Sequence, residues 1–228
     1  MLETQKREVV RYAQQAERDG LCRHRSGNFS CLDPETGLIA ITPTGMDRNE
    51  MTSEDVVIID QQGRTVEALT GRKPTSESMM HMAVYRSRPD VRAIVHTHSK
   101  TATAFAVMNK PIPAIVYELF LLGCKKGYIP VAPYGRPGTK ALAESVLEPL
   151  KISDVALMQA HGVIAVAESL KEALLKASYV EELAEIYYKT LTVLGHEPDV
   201  VPVKELEGWR YPAVYLCDIH WTLTYLFS

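Results

Sequence analysis

Apolar positions along the chain alternate between two periods. Over residues 2–19, Val9, Val10, Tyr12, Ala13 and Ala16 recur at helical spacing and Gly20 follows. That pattern predicts an amphipathic helix with a glycine stop. Residues 38–42 (Leu-Ile-Ala-Ile-Thr) and 56–60 (Val-Val-Ile-Ile-Asp) are short apolar runs beside turn residues, and they predict strands. A Gln-Gln-Gly turn leads from the second run to a third strand near Thr65-Val66, as in a hairpin. A helix is predicted from near Ser76, where a hydroxyl can cap free amides, with Met79, Met82, Ala83 and Val84 facing inward. Residues 91–97 predict a strand and 99–106 a short helix. The β-prone runs 155–158 and 163–167 flank Ala160-His161-Gly162. The longest helical pattern spans 169–194, with Leu170, Ala173, Leu174, Ala177, Val180, Leu183, Ala184 and Tyr187 on one stripe and Gly195 closing it.

Early hairpin strands and helices outside strict βαβ order predict a mixed α/β (α+β) fold. The chain has no repeat at solenoid periods and no long Ser/Gly/Pro linker, so one domain is expected over residues 1–208. Residues 209–228 stand apart as an aromatic tail.

Composition narrows the function. The 228 residues are 46% hydrophobic and 23% charged, which excludes a disordered or low-complexity chain. A net charge of −3 gives no footprint for nucleic acid. The densest basic stretch, Arg23-His24-Arg25, suits one phosphate group rather than a duplex. No apolar run is long enough to span a bilayer, and the charged N-terminus lacks the apolar core of a signal peptide. Cys22, Cys31, Cys124 and Cys217 form no C-x-x-C pair, so reduced thiols in a cytoplasmic protein are expected.

His96-Thr97-His98 is the sharpest chemical signal. Residues i and i+2 of a strand face the same side, so two imidazoles about 6.6 Å apart along the backbone can converge on one ion. On spacing alone the pair reads more readily as two surface histidines at a loop edge. His161, next to a glycine, reads alone as a buried core histidine. Glu77 reads alone as a favourable charge at a helix N-terminus. Taken together, three histidines and a carboxylate match the donor set of a catalytic zinc or related divalent site. Arg25-Ser26-Gly27-Asn28, Thr42-Pro43-Thr44-Gly45 and Thr75-Ser76 offer hydroxyls and glycine-permitted amides suited to an anion.

Seven segments in order carry a resemblance: Ser26-Gly27-Asn28, Ile41-Thr42-Pro43-Thr44-Gly45, Lys73-Pro74-Thr75-Ser76-Glu77, Val95-His96-Thr97-His98-Ser99, Ile112-Pro113-Ala114-Ile115, Ala132-Pro133-Tyr134 and His161-Gly162-Val163. Over residues 5–195 the chain resembles the class II aldolase/adducin family, and its sugar-phosphate aldolases in particular. The resemblance implies a mainly antiparallel sheet flanked by helices and a homotetramer with sites at subunit boundaries. It implies a zinc ion, or cobalt or manganese in its place, held by His96, His98 and His161. Glu77 would be a fourth ligand at rest and the acid/base in turnover. Gly27, Asn28, Thr44, Gly45, Thr75 and Ser76 fall on phosphate-binding positions. Tyr117 falls where a tyrosine from across a subunit boundary protonates the aldehyde oxygen.

The implied reaction is reversible cleavage of a ketose 1-phosphate to dihydroxyacetone phosphate and a small aldehyde such as L-lactaldehyde. Glu77 separates this reading from the related ribulose-phosphate 4-epimerases, which carry a shorter Asp there. A methylthioribulose-1-phosphate dehydratase shares the metal frame, and the adducin branch shares the fold as an interaction module without the metal site. Two features depart from the aldolase pattern. Pro137, beside Arg136, stands where the aldolases place a Phe in the aldehyde pocket. The tail 209–228 does not align, and Tyr211 is its candidate for closing the site.

Overall fold

A computed structural model of the chain describes residues 1–208. The tail 209–228, with Tyr211 and Cys217, lies outside the described residues.

The first helix, α1 (Glu3–Arg18), buries Val9, Tyr12, Ala13 and Ala16, the stripe predicted by periodicity. Four short strands follow: β1 (Asn28–Leu32), β2 (Ile39–Ile41), β3 (Val57–Ile59) and β4 (Thr65–Glu67). Next come α2 (Ser78–Ser87), β5 (Ala93–Thr97) and α3 (Lys100–Val107). A small two-stranded ribbon pairs β6 (Ile112–Pro113) with β7 (Tyr128–Ile129). After β8 (Val131–Ala132) and the short helices α4 (Lys140–Ser145) and α5 (Pro149–Ile152), the chain forms β9 (Val155–Met158) and β10 (Gly162–Ala167). The long helix α6 (Leu170–Leu194) and the short α7 (Val203–Gly208) complete the described chain.

Eight strands make one sheet in the order β4-β3-β2-β1-β5-β10-β9-β8. Every pair is antiparallel except β8 with β9. Helices cover both faces. Phe29, Val95, Val163 and Ala165 point to the layer of α1, α3 and α6, whereas Ile41, Ile94, Ile164 and Val166 point to α2 and α4. Burial on both sides explains why β3, β5 and β10 read as continuous apolar runs rather than as alternation.

α6 matches its expected stripe residue for residue. Ser169 caps it by accepting a hydrogen bond from the Glu172 amide at 3.3 Å, and Gly195 ends it at φ +72°. α2 departs from expectation. Its N-cap is Glu77 rather than Ser76, and Met79 is 39% exposed with Ala83 only half-buried. His81 and Tyr85 take the inward positions beside Met80, Met82 and Val84. β1 is a strand that the sequence pattern does not predict, because Asn28 and Ser30 break its apolar run. Both are buried, and they face α2. Cys22, Cys31 and Cys124 are free thiols, as expected. Among the described residues no helix is long and apolar enough to cross a membrane.

Candidate metal centre and anion pocket

The sheet assembles the site at its middle strands. Antiparallel pairing sets His96 of β5 opposite Asn28 of β1 and opposite Ile164 of β10. His98 follows two residues on. Its backbone is pinned by its amide bonding to the Leu21 carbonyl at 3.1 Å. The start of α3, directly after it, is held by Glu181 of α6, whose carboxylate accepts from the amides of Thr101 at 2.9 Å and Ala102 at 2.8 Å. His161 stands in the β9–β10 turn, after Ala160, which is forced into the left-handed region at φ +56°.

The three imidazoles meet there. One ligating nitrogen from each of His96, His98 and His161 lies within 4.8 Å of the others. His96 and His98 approach Nε2 to Nε2 at 2.9 Å. Glu77 closes the group, with Oε2 3.3 Å from His96 Nε2 and Oε1 3.2 Å from His161 Nε2. His96 donates from Nδ1 to the Val163 carbonyl at 2.8 Å, which fixes its tautomer and leaves the Nε2 lone pair for an ion. Burial pushes the His96 pKa well below the usual histidine range, with help from its histidine neighbours. Burial also pushes His98 down to about 4 and lowers His161, although the charge of Glu77 works the other way on His161. Neutral imidazoles are the form that binds metal. Glu77 Oε1 and His161 Nδ1 are buried without a hydrogen-bond partner. Three neutral nitrogens, one carboxylate and these unsatisfied atoms fit a zinc-like divalent cation.

Gly162 makes this convergence possible. A Cβ there would stand 2.3 Å from the Thr97 carbonyl oxygen and 3.3 Å from ring carbons of both His96 and His98. Gly162→Ala must therefore push β10 off β5 beside the three histidines. It is expected to lower the unfolding free energy by about 1–3 kcal/mol and to weaken metal binding, measured by denaturant unfolding and metal titration. Wild-type metal affinity in that variant would contradict the packing argument.

The turns expected to hold an anion converge on the same place. A cavity of about 270 Å³ is lined by Gly27, Asn28, Thr44, Gly45, Thr75, Ser76, Glu77, His98 and His161. All six expected phosphate positions are thus brought beside Glu77, and Pro137 lines the wall. Thr75 and Ser76 precede α2, so the pocket sits at a helix N-terminus, where the backbone favours negative charge. Two arginines also line it, Arg25 and Arg48. Arg25 and its neighbour His24 have positive φ, +67° and +53°, rare for side chains of their size. Arg48 is buried and grips the Ser26-Gly27 turn, donating from Nη2 to the carbonyls of Ser26 and, at 2.8 Å, Gly27. Arg48 carried no local sequence signal, because its partners lie more than 20 positions away. Tyr117, in a 3-10 turn at Tyr117–Leu122, is 43% exposed and is not among the lining residues of its own chain's cavity.

Comparison with known proteins agrees with this geometry. The sequence model of the Class II Aldolase and Adducin N-terminal domain matches residues 7–188. A 5-deoxy-D-ribulose 1-phosphate aldolase of Bacillus thuringiensis is 37% identical over 208 residues, covering 91% of this chain and 94% of the relative. An L-fuculose phosphate aldolase of Escherichia coli is 39% identical over 197 residues, covering 86% of each. Among solved structures, an L-fuculose 1-phosphate aldolase superimposes with a TM-score of 0.84 at 34% identity, over 90% of this chain and 93% of the other. These matches run nearly the whole length of each relative. They agree with a histidine cluster suited to the metal on which class II aldolases depend. The chain belongs to the class II aldolase and adducin family, among its lyase enzymes.

Proposed function

We propose that this chain is a zinc-dependent aldolase that reversibly cleaves a ketose 1-phosphate to dihydroxyacetone phosphate and a small aldehyde. The observation that carries the reading is the position of Glu77. Its carboxylate lies between three imidazoles and the cavity where six phosphate-type positions meet. A phosphate held by the turns around Gly27, Thr44 and Ser76 would be fixed by binding energy remote from the reacting carbon, which is how positioning lowers a barrier. His96, His98 and His161 would hold a divalent cation, which would supply Lewis-acid stabilisation of negative charge on the substrate oxygens, worth several kcal/mol.

In the synthetic direction Glu77 takes a proton from the hydroxymethyl carbon of dihydroxyacetone phosphate. That carbon then adds to the aldehyde carbonyl, and the aldehyde oxygen takes a proton from Tyr117. Cleavage runs the same transfers in reverse. Tyr117 is exposed on its own chain, in keeping with service to a neighbouring subunit's site in a homotetramer. The enzyme is assigned to the cytoplasm, with no nucleic-acid or membrane partner.

L-fuculose 1-phosphate, which yields L-lactaldehyde, is the leading substrate. The Bacillus relative favours a second one, 5-deoxy-D-ribulose 1-phosphate, which yields acetaldehyde. Pro137 is the residue assigned to this choice, since it lines the cavity where the aldehyde pocket is expected. A panel of ketose 1-phosphates assayed for aldehyde release is expected to give dihydroxyacetone phosphate from at least one of the two. Release of water or inversion at the fourth carbon, with no aldehyde, would replace the aldolase reading by a dehydratase or an epimerase.

A further inference from the structure

Behind Glu77 runs a buried hydrogen-bond chain that the reaction as described does not use. Asn28 Nδ2 lies 2.7 Å from Glu77 Oε2, and Asn28 Oδ1 lies 2.5 Å from His81 Nε2. His81 Nδ1 lies 2.7 Å from Ser30 Oγ, which lies 2.7 Å from the Tyr85 hydroxyl. Asn28, Ser30, Glu77, His81 and Tyr85 are all buried, His81 and Ser30 completely. The chain cross-links two elements. Asn28 and Ser30 are alternate residues on one face of β1, and Glu77, the N-cap of α2, is followed at four-residue steps by His81 and Tyr85.

One arrangement of protons satisfies the whole chain. A carboxylate only accepts, so Asn28 turns its NH₂ group to Glu77 and its carbonyl to His81. His81 must then donate from Nε2 and accept at Nδ1, so it is the neutral Nε2–H tautomer. Ser30 donates to His81 Nδ1 and accepts from Tyr85. Burial keeps both ends in these forms, with the His81 pKa pushed down to about 3 and that of the Tyr85 phenol raised well above its usual value. Polar side chains inside a core are costly unless every one is satisfied, and apolar residues would pack there with no such requirement.

We propose that His81, locked by Ser30 and Tyr85, is a positioning residue that fixes the Asn28 amide so that its N–H groups face Glu77 and the cavity. Asn28 then occupies Glu77 Oε2 and leaves Oε1, which makes no hydrogen bond and has His161 Nε2 3.2 Å away, as the oxygen that exchanges a proton with substrate. Asn28 also lines the anion cavity, so the same lock serves both ends of the substrate. This inference rests on the aldolase reading for its catalytic consequence.

The test uses the full-length, metal-loaded protein. With ¹⁵N-labelled histidine, NMR is expected to show His81 as the Nε2–H tautomer, and Ser30→Ala is expected to release that preference. His81→Phe is expected to slow proton exchange on dihydroxyacetone phosphate about 10- to 100-fold with bound metal unchanged. His81→Gln, whose amide can donate to Asn28 Oδ1, is expected to recover most of that loss. Where His81→Phe fails to fold, Ser30→Ala carries the rate comparison. A wild-type Nδ1–H tautomer overturns the proposal. So do His81 variants that exchange at the wild-type rate, or a Gln variant as slow as Phe with its metal intact. The tautomer is read without substrate. A wild-type chain with the expected tautomer and no exchange therefore overturns the aldolase reading, whereas exchange insensitive to His81 overturns this one.

Discussion

Glu77→Gln is expected to lower kcat for aldol cleavage about 100- to 10,000-fold, the usual worth of a positioned acid or base. The substitution keeps side-chain length and leaves an amide oxygen to accept from Asn28, whose Nδ2 lies 2.7 Å from Glu77 Oε2. The fold should therefore survive, and the loss should fall on kcat more than on KM, because the phosphate positions are untouched. The three imidazoles remain, so metal should still bind, though more weakly for want of the carboxylate. Steady-state kinetics with metal analysis on the same sample checks this. A folded, metal-loaded Glu77→Gln protein with near wild-type kcat would show that another group moves the proton.

The second large effect is expected from the histidines. The double variant His96→Ala, His98→Ala removes two of three imidazole nitrogens from a group spanning 4.8 Å. It should lose stoichiometric metal, and activity should fall by several powers of ten. Lewis-acid stabilisation contributes several kcal/mol, and each 1.4 kcal/mol is about a factor of ten. Calorimetry gives a second readout. Metal that binds only the folded state raises its stability by mass action. A chelator should therefore lower Tm in the wild type and leave the double variant unmoved. His98 is half-buried and His96 fully buried, so His98→Ala alone is the better-folded control. Intact activity in the metal-free double variant would remove the metal from the account.

Much of this site was legible wherever its signal was local. The two-residue period of a strand placed His96 and His98 on one side, and the stripe of α6 followed directly from helical spacing. The family resemblance then joined His161 and Glu77 to them, which no local rule could do. β5 and β10 are neighbours in the sheet but tens of residues apart in the chain. β1 went unpredicted and the register of α2 was misplaced because the buried face between them is polar. Asn28, Ser30, His81 and Tyr85 break the apolar pattern on which inward positions are recognised. The spacing Glu77, His81, Tyr85 was a usable signal, since three hydrogen-bonding residues at i, i+4 and i+8 share one side of a helix. Arg48 had none, because its grip on the Ser26-Gly27 turn exists only after folding.

In the proposed reaction, Glu77, with a metal held at the three histidines, would take a proton from the hydroxymethyl carbon beside the carbonyl of the phosphate-anchored substrate. The most direct measurement is proton exchange with no aldehyde present. Purified protein is incubated with dihydroxyacetone phosphate in deuterated water, and the hydroxymethyl protons are followed by NMR with and without a chelator. Stereospecific loss of one of the two protons is expected, abolished by the chelator and restored by zinc. A metal-loaded protein that leaves both protons in place would contradict the proposed reaction.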